Sequence, residues 1–253
     1  MSDSSLEQML RLLPEAQRHA MPGISGFPVG CVAKGSSGRL YLGANMEYPG
    51  TALAFTVHAE QSATMNAWQS GEEGIESIAV SAPPCGYCRQ FLYELTTADR
   101  LGVHVAGEES RLLTDLLPAA FGPADLDVEA TLMSPQDHRL VLDPPSDDAL
   151  VLEALAAANA SYAPYSKGYA GVALETESGA VYAGRYAENA AFNPSVSPLE
   201  SALVMRGLGG HAGDALTRAA LVEKASPASQ RGATEELLRR VSTIGLEVYA
   251  AAA

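Results

Sequence analysis

Residues 27–47 align without a gap with residues 168–188, matching Gly30 with Gly171, Ser37 with Ser178, Gly38 with Gly179, Tyr41 with Tyr182, Gly43 with Gly184 and Glu47 with Glu188. A unit that occurs twice in one chain must be able to fold once, so this repeat constrains the architecture more than any other feature. The identities cluster on Gly35-Ser36-Ser37-Gly38 and its flanks, where glycine supplies the positive φ of a hairpin turn. Shared Ser-Gly turns alone would give some of these matches. The order of elements repeats as well. In the first copy, strands at 29–33 and 39–42 precede a helix over 57–69. In the second, the matched hairpin precedes a helix over 198–208, a strand over 219–223 and a helix over 234–241.

The first copy continues with a strand at 75–80, a helix at 86–95, a strand at 101–105, a helix at 111–117 and a strand at 128–133. This alternation argues for a sheet covered by helices. Before the hairpin, Leu6, Met9, Leu10 and Leu13 recur at helical spacing and stop at Pro14. The spacing predicts a short, interrupted helical entry over 4–20. Between the copies, Ser134, Pro135, Asp137, Asp143, Pro144, Pro145, Ser146, Asp147 and Asp148 mark a linker. The expected organisation is therefore a first domain at 1–133, a linker at 134–148 and a second domain at 149–253.

With 253 residues, 47% of them hydrophobic, the chain can bury a substantial core as one large domain or two small ones. Sixteen Lys and Arg against 30 Asp and Glu give a formal charge of −14, a field that repels phosphate backbones and anionic lipid. Nucleic acid and membrane partners are accordingly not expected. Asp3, Glu7, Arg11, Glu15 and Arg18 interrupt the first twenty residues, which resemble neither a secretory leader nor a membrane span. A cytoplasmic location is the expectation.

Three cysteines make no disulfide framework in a chain of this length. Cys31, between Gly30 and Val32 in a strand, reads as a small buried apolar residue rather than a ligand. Cys85 and Cys88 stand three apart in Pro84-Cys85-Gly86-Tyr87-Cys88. At a helix N-terminus, that spacing lets two thiolates reach one ion. A thiol/disulfide pair has the same spacing, so the motif alone leaves redox chemistry open. Upstream, His58-Ala59-Glu60 precedes a helical segment and adds an imidazole and a carboxylate. His58, Cys85 and Cys88 together are three ligands for an ion that prefers four. Glu60 is the carboxylate to take a proton from water in the remaining position, provided His58 and Glu60 lie on an irregular first turn. The second copy carries Pro198-Leu199-Glu200 at this place and no cysteine, so it cannot build the same site.

His-x-Glu followed by Pro-Cys-x-x-Cys is the signature of zinc deaminases. Gly43-Ala44-Asn45-Met46-Glu47, His58-Ala59-Glu60-Gln61-Ser62-Ala63, Pro84-Cys85-Gly86-Tyr87-Cys88-Arg89-Gln90-Phe91 and Ala187-Glu188-Asn189-Ala190-Ala191-Phe192-Asn193-Pro194 together resemble the cytidine deaminases of the two-domain, homodimeric branch. The resemblance covers most of the chain after residue 20. It implies a duplicated α/β unit, each a mixed sheet between helices in three α/β/α layers, and one Zn²⁺ per chain. It also implies hydrolysis of cytidine and 2'-deoxycytidine to uridine, 2'-deoxyuridine and ammonia in pyrimidine salvage. In that mechanism zinc-activated hydroxide adds to C4 and Glu60 shuttles the protons. Phe27 would pack on the base, Asn45 and Glu47 would bind the ribose, Ala59 would line the substrate site, and Phe121 would reach a neighbouring subunit's site in a homodimer. Members of the branch often carry a longer helical extension before the hairpin, so assembly is less defined by the resemblance than chemistry.

Plainer readings stand beside these. Phe27 could be core, Glu47 a solvated loop carboxylate, Asn45 a turn residue, and Arg89 and Gln90 either tuners of the thiolates or surface. The rival functions are a zinc deaminase of a modified nucleoside, free base, nucleotide or RNA, and a non-catalytic zinc or redox module.

Overall fold

In the computed structural model, which describes residues 3–253, the first copy runs α1 (Asp3–Gln17), β1 (Gly30–Gly35), β2 (Leu40–Ala44), α2 (Ala59–Gln69), β3 (Ile75–Val80), α3 (Gly86–Leu92), β4 (Gly102–Val105), β5 (Arg111–Leu112) and α4 (Leu113–Leu116). β1 and β2 form the hairpin, pairing Cys31 with Gly43 and Val32 with Leu42. Gly38 turns between them at φ 87°, a left-handed conformation that a side chain disfavours. The sheet order is β2-β1-β3-β4-β5, with only β3 and β4 parallel.

Period-two alternation along these strands sends neighbours to opposite faces, and helices cover both. On one face Met9, Leu13 and Ala16 of α1 bury against Val32 and Ala79. On the other, α2 lies so close to β2 that a Cβ on Gly43 would sit 2.1 Å from the Ala63 backbone nitrogen. Only glycine permits that approach, which brings the start of α2 to the sheet.

The second copy runs β6 (Val141–Asp143), α5 (Ala149–Asn159), β7 (Ala170–Thr176), β8 (Val181–Arg185), α6 (Pro198–Leu208), β9 (Leu216–Lys224), α7 (Arg231–Val241) and β10 (Glu247–Ala252). Its sheet, read β8-β7-β9-β10-β6, repeats the first, again with one parallel pair, β9 and β10. The edge taken by β5 in the first sheet falls to β6, which precedes α5. Gly171 meets Ala154 and Ala158 of α5 as Gly30 meets Leu13 and Gln17 of α1. Each copy is thus the expected three-layer α/β/α unit around a mixed sheet.

Contacts divide the chain into two compact units. One comprises the chain through Glu47, Thr56–Ser134 and Asn189–Pro194; the other comprises Tyr48–Phe55, Pro135–Glu188 and Ser195–Ala253.

Several elements depart from expectation. α1 continues through Pro14 rather than breaking there. The proline forgoes one hydrogen bond, while Met9, Leu13 and Ala16 are held at 0–4% exposure, and packing outweighs the loss. The segment expected to be helical at 111–117 is split into β5 and α4, and α3 stops at Leu92. Residues 128–133 form no strand. Leu132 instead makes a single bridge to Leu95, anchoring a loop onto the end of α3. No local sequence pattern marks α5 or β10, and the expected linker at 134–148 holds β6.

Candidate active site

The start of α2 and the start of α3 carry the three metal-type donors. His58 is the N-cap of α2 with extended backbone, φ −82° and ψ 158°; Cys85 is the N-cap of α3, φ −70° and ψ 169°. Cys88 follows within the first turn of α3 and is fully buried. Cys85 Sγ lies 3.6 Å from His58 Nδ1 and 3.7 Å from Cys88 Sγ, and all three donor atoms lie within 4.8 Å of one another. Tetrahedral zinc, with bonds of about 2.3 Å to sulfur and about 2.0–2.1 Å to nitrogen, sets sulfurs about 3.8 Å apart and sulfur from nitrogen about 3.6 Å apart. The donor set and its spacing fit that ion. A disulfide would need sulfurs at about 2.05 Å, and all three cysteines are free.

The Cys85 thiol is pulled down to about 3, first by its hydrogen bond with Cys88 and then by His58. Cys88 is pushed up by the same contact and by burial. His58 is raised, chiefly by its bond to Cys85. Glu60 is 4% exposed, and burial raises its carboxyl above the ordinary range.

A cavity of 280 Å³ opens over these groups, lined by Phe27, Asn45, Glu47, His58, Ala59, Glu60 and Cys85. Its size falls just below the usual range for a low-molecular-weight ligand, about 300–1,000 Å³. Phe27 is 59% exposed and so is not a core residue. Glu47 is not a free loop carboxylate. Ile24 N and Ser25 N donate to its Oε2 at 2.8 and 2.7 Å, and Ser25 Oγ donates to Oε1 at 2.6 Å. Burial alone would raise its pKa, but these donors outweigh that and lower it. Asn45 donates from Nδ2 to Glu47 Oε1 at 3.2 Å and to the Phe27 carbonyl at 3.1 Å, while Oδ1 accepts from Val29 N at 2.8 Å. One network therefore fixes Phe27, Asn45 and Glu47 together.

Ser25 and Thr56 also line the cavity. Sequence reasoning missed both; only the Ser25 position, two residues before Phe27, could have suggested an anchor for Glu47. Phe121 lies outside this cavity, 45% exposed, with its carbonyl accepting from Gln90 Nε2 at 2.7 Å. Arg89 donates to the carbonyls of Pro84 and Leu116 at 2.9 and 3.0 Å, pinning the loop ahead of Cys85. A larger cleft of 720 Å³ runs along Tyr93, Asp99 and residues 122–131, but none of the three donors lines it.

The second copy shows what was replaced. Gly184 faces Pro198 and Ala202 as Gly43 faces Ala59 and Ala63. Ser197, the N-cap of α6, therefore stands where His58 does, Leu199 where Glu60 does, and Glu200 where Gln61 does. The alignment of Pro198-Leu199-Glu200 with His58-Ala59-Glu60 is thus off by one residue, because the connection after Glu188 is two residues shorter than that after Glu47. Glu188 keeps the anchoring of Glu47, accepting from Tyr165 N and Ser166 N at 2.9 and 3.1 Å.

Residues 3–103 and 113–235 each match a family described as the cytidine and deoxycytidylate deaminase zinc-binding region. Among curated relatives, the chain is 48% identical to the cytidine deaminase of Shewanella halifaxensis over 95% of this chain and 81% of that protein. It is 49% identical to that of Shewanella oneidensis over the same shares of the two chains.

Proposed function

The chain belongs to the cytidine and deoxycytidylate deaminase family, and on that footing we propose that it hydrolyses cytidine and 2'-deoxycytidine to uridine and 2'-deoxyuridine, releasing ammonia. The observation that carries this reading is the tetrahedral spacing of His58, Cys85 and Cys88 beside the buried Glu60. These three residues would hold one Zn²⁺ per chain, which supplies a Lewis acid and an acidified water at its open position. Glu60 takes the first proton from the attacking water and delivers it to N3 of the cytosine, then takes the second from the hydroxyl now on C4 and gives it to the amine, which departs as ammonia. Its raised carboxyl suits a group that must accept and give back a proton within one turnover.

Phe27 offers its exposed ring to the base, and Ala59 lines the floor at the start of α2, where peptide N–H groups have no partner within the helix. Asn45 and Glu47 meet the ribose hydroxyls. The donors already on Glu47 keep it ionised as an acceptor. A carboxylate there suits a free nucleoside and would repel a phosphorylated one. We assign catalysis to residues 1–133 and a structural role to 149–253, joined through 134–148. The protein would act as a cytoplasmic homodimer in pyrimidine salvage, with Phe121 reaching the neighbouring subunit's cavity.

An ultraviolet assay of the purified protein with cytidine, deoxycytidine, cytosine, cytidine monophosphate and adenosine tests the reading. Turnover of the first two is expected. Turnover of cytosine or adenosine alone would overturn it.

A further inference from the structure

Asn189–Pro194, far along the chain from the metal donors, packs as part of the unit that contains them. We propose that this six-residue strap is a brace that fixes the two donor-bearing helix starts against each other and so sets how tightly zinc is held; the inference rests on the zinc reading above. Its two last carbonyls each take a donor from one of those helix starts.

Gln61 Nε2 donates to the Pro194 carbonyl at 3.3 Å, while Gln61 Oε1 accepts from His58 N at 3.0 Å. One side chain thus ties the backbone of the imidazole donor to the strap. Tyr87, which sits between Cys85 and Cys88, donates its hydroxyl to the Asn193 carbonyl, and its ring stands 6.0 Å from that of His58. The other end of the strap is fastened independently. Asn189 Nδ2 donates to the Gln90 carbonyl at 3.1 Å, and Gln90 Nε2 lies 3.5 Å from Asn189 Oδ1. Ala190 N donates to Oε2 of Glu94 at 3.0 Å, and Glu94 is fully buried.

A metal site loses affinity when its donors must be gathered on binding, and gains it when neighbouring bonds hold them in place beforehand. Peptide carbonyls 193 and 194 are adjacent on a short, doubly anchored segment, so the spacing they impose on α2 and α3 is stiff. Gln61 and Tyr87 are positioning residues in this scheme. Neither needs to touch the substrate.

The test is zinc release from the loaded enzyme to a chromophoric chelator, measured for wild type, Tyr87→Phe and Gln61→Leu. Thr97→Val is the comparison. It removes the hydroxyl bonded to the Ile75 backbone, at the end of β3 away from the donors. Melting temperatures of all four are recorded. Both strap variants should release zinc about tenfold faster or more, beyond any change in Thr97→Val of similar melting temperature. Unchanged release in both, or acceleration equalled by Thr97→Val, overturns the brace alone. A wild-type protein that binds no zinc overturns the functional reading, and the brace with it.

Discussion

In an ideal helix, residues two apart point about 200° away from each other, which would keep His58 and Glu60 from sharing one cavity. His58 escapes this by standing outside the helix on extended backbone, so the imidazole and the carboxylate both line the cavity. Cys85 uses the same device at the start of α3. At this scale the proposed chemistry turns on Glu60. Glu60→Gln preserves shape but neither accepts nor returns a proton. It should retain about one zinc per chain while kcat with cytidine falls by at least about 10²–10⁴-fold, read by metal analysis and ultraviolet assay of one preparation. Activity equal to wild type would remove the proton shuttle from the mechanism.

At the scale of elements, α6 carries a charge that its environment resists. Glu200 is 6% exposed, and burial raises its carboxyl from the ordinary 4.5 to about 7 against the opposing bonds from Ser197. The folded pKa lies above the unfolded one. Its contribution to stability is therefore fully present below about 4.5 and lost as pH rises through about 7, a swing of about 3 kcal/mol. Glu200→Gln keeps an acceptor for Ser197 N without the charge. Its melting temperature should fall less between pH 5 and 8.5 than that of wild type, and parallel curves would contradict the assignment.

Elements carried by local chemistry were legible in the sequence. The hairpin, β3 and α6 follow from turn glycines, alternation and helix-forming runs. The elements misjudged were those decided by distant partners. Pro14 reads as a breaker until α1 has a sheet to lie on. β6 and β10 pair with each other across more than a hundred residues, and α5 is too uniformly apolar to show a helical face. Within the site, Cys85 and Cys88 announce themselves by spacing. Ser25 and Thr56 do not, because lining a cavity leaves no local pattern.

Across the whole molecule, duplication has kept the scaffold and dropped the chemistry from one copy. Ser197 and Leu199 replace the imidazole and the carboxylate, and Tyr186 and Gly168 stand where Asn45 and Phe27 do. Ser226 Oγ and the Ala228 carbonyl crowd Gly168 at 2.4 and 2.9 Å from a would-be Cβ, and Tyr186 is buried beside Glu188, Ser195 and Gln230. Protein atoms thus fill the place where a base would lie, so one zinc per chain is expected rather than two. The −14 charge agrees with a small uncharged substrate. Light scattering at working concentration should return twice the chain mass, and a monomer would count against the proposed dimer. The most direct test of the whole account is X-ray absorption at the zinc edge of the purified protein. Two sulfurs at about 2.3 Å, one nitrogen and one oxygen at about 2.0–2.1 Å are expected; a shell filled by four protein ligands, or one without sulfur, would contradict it.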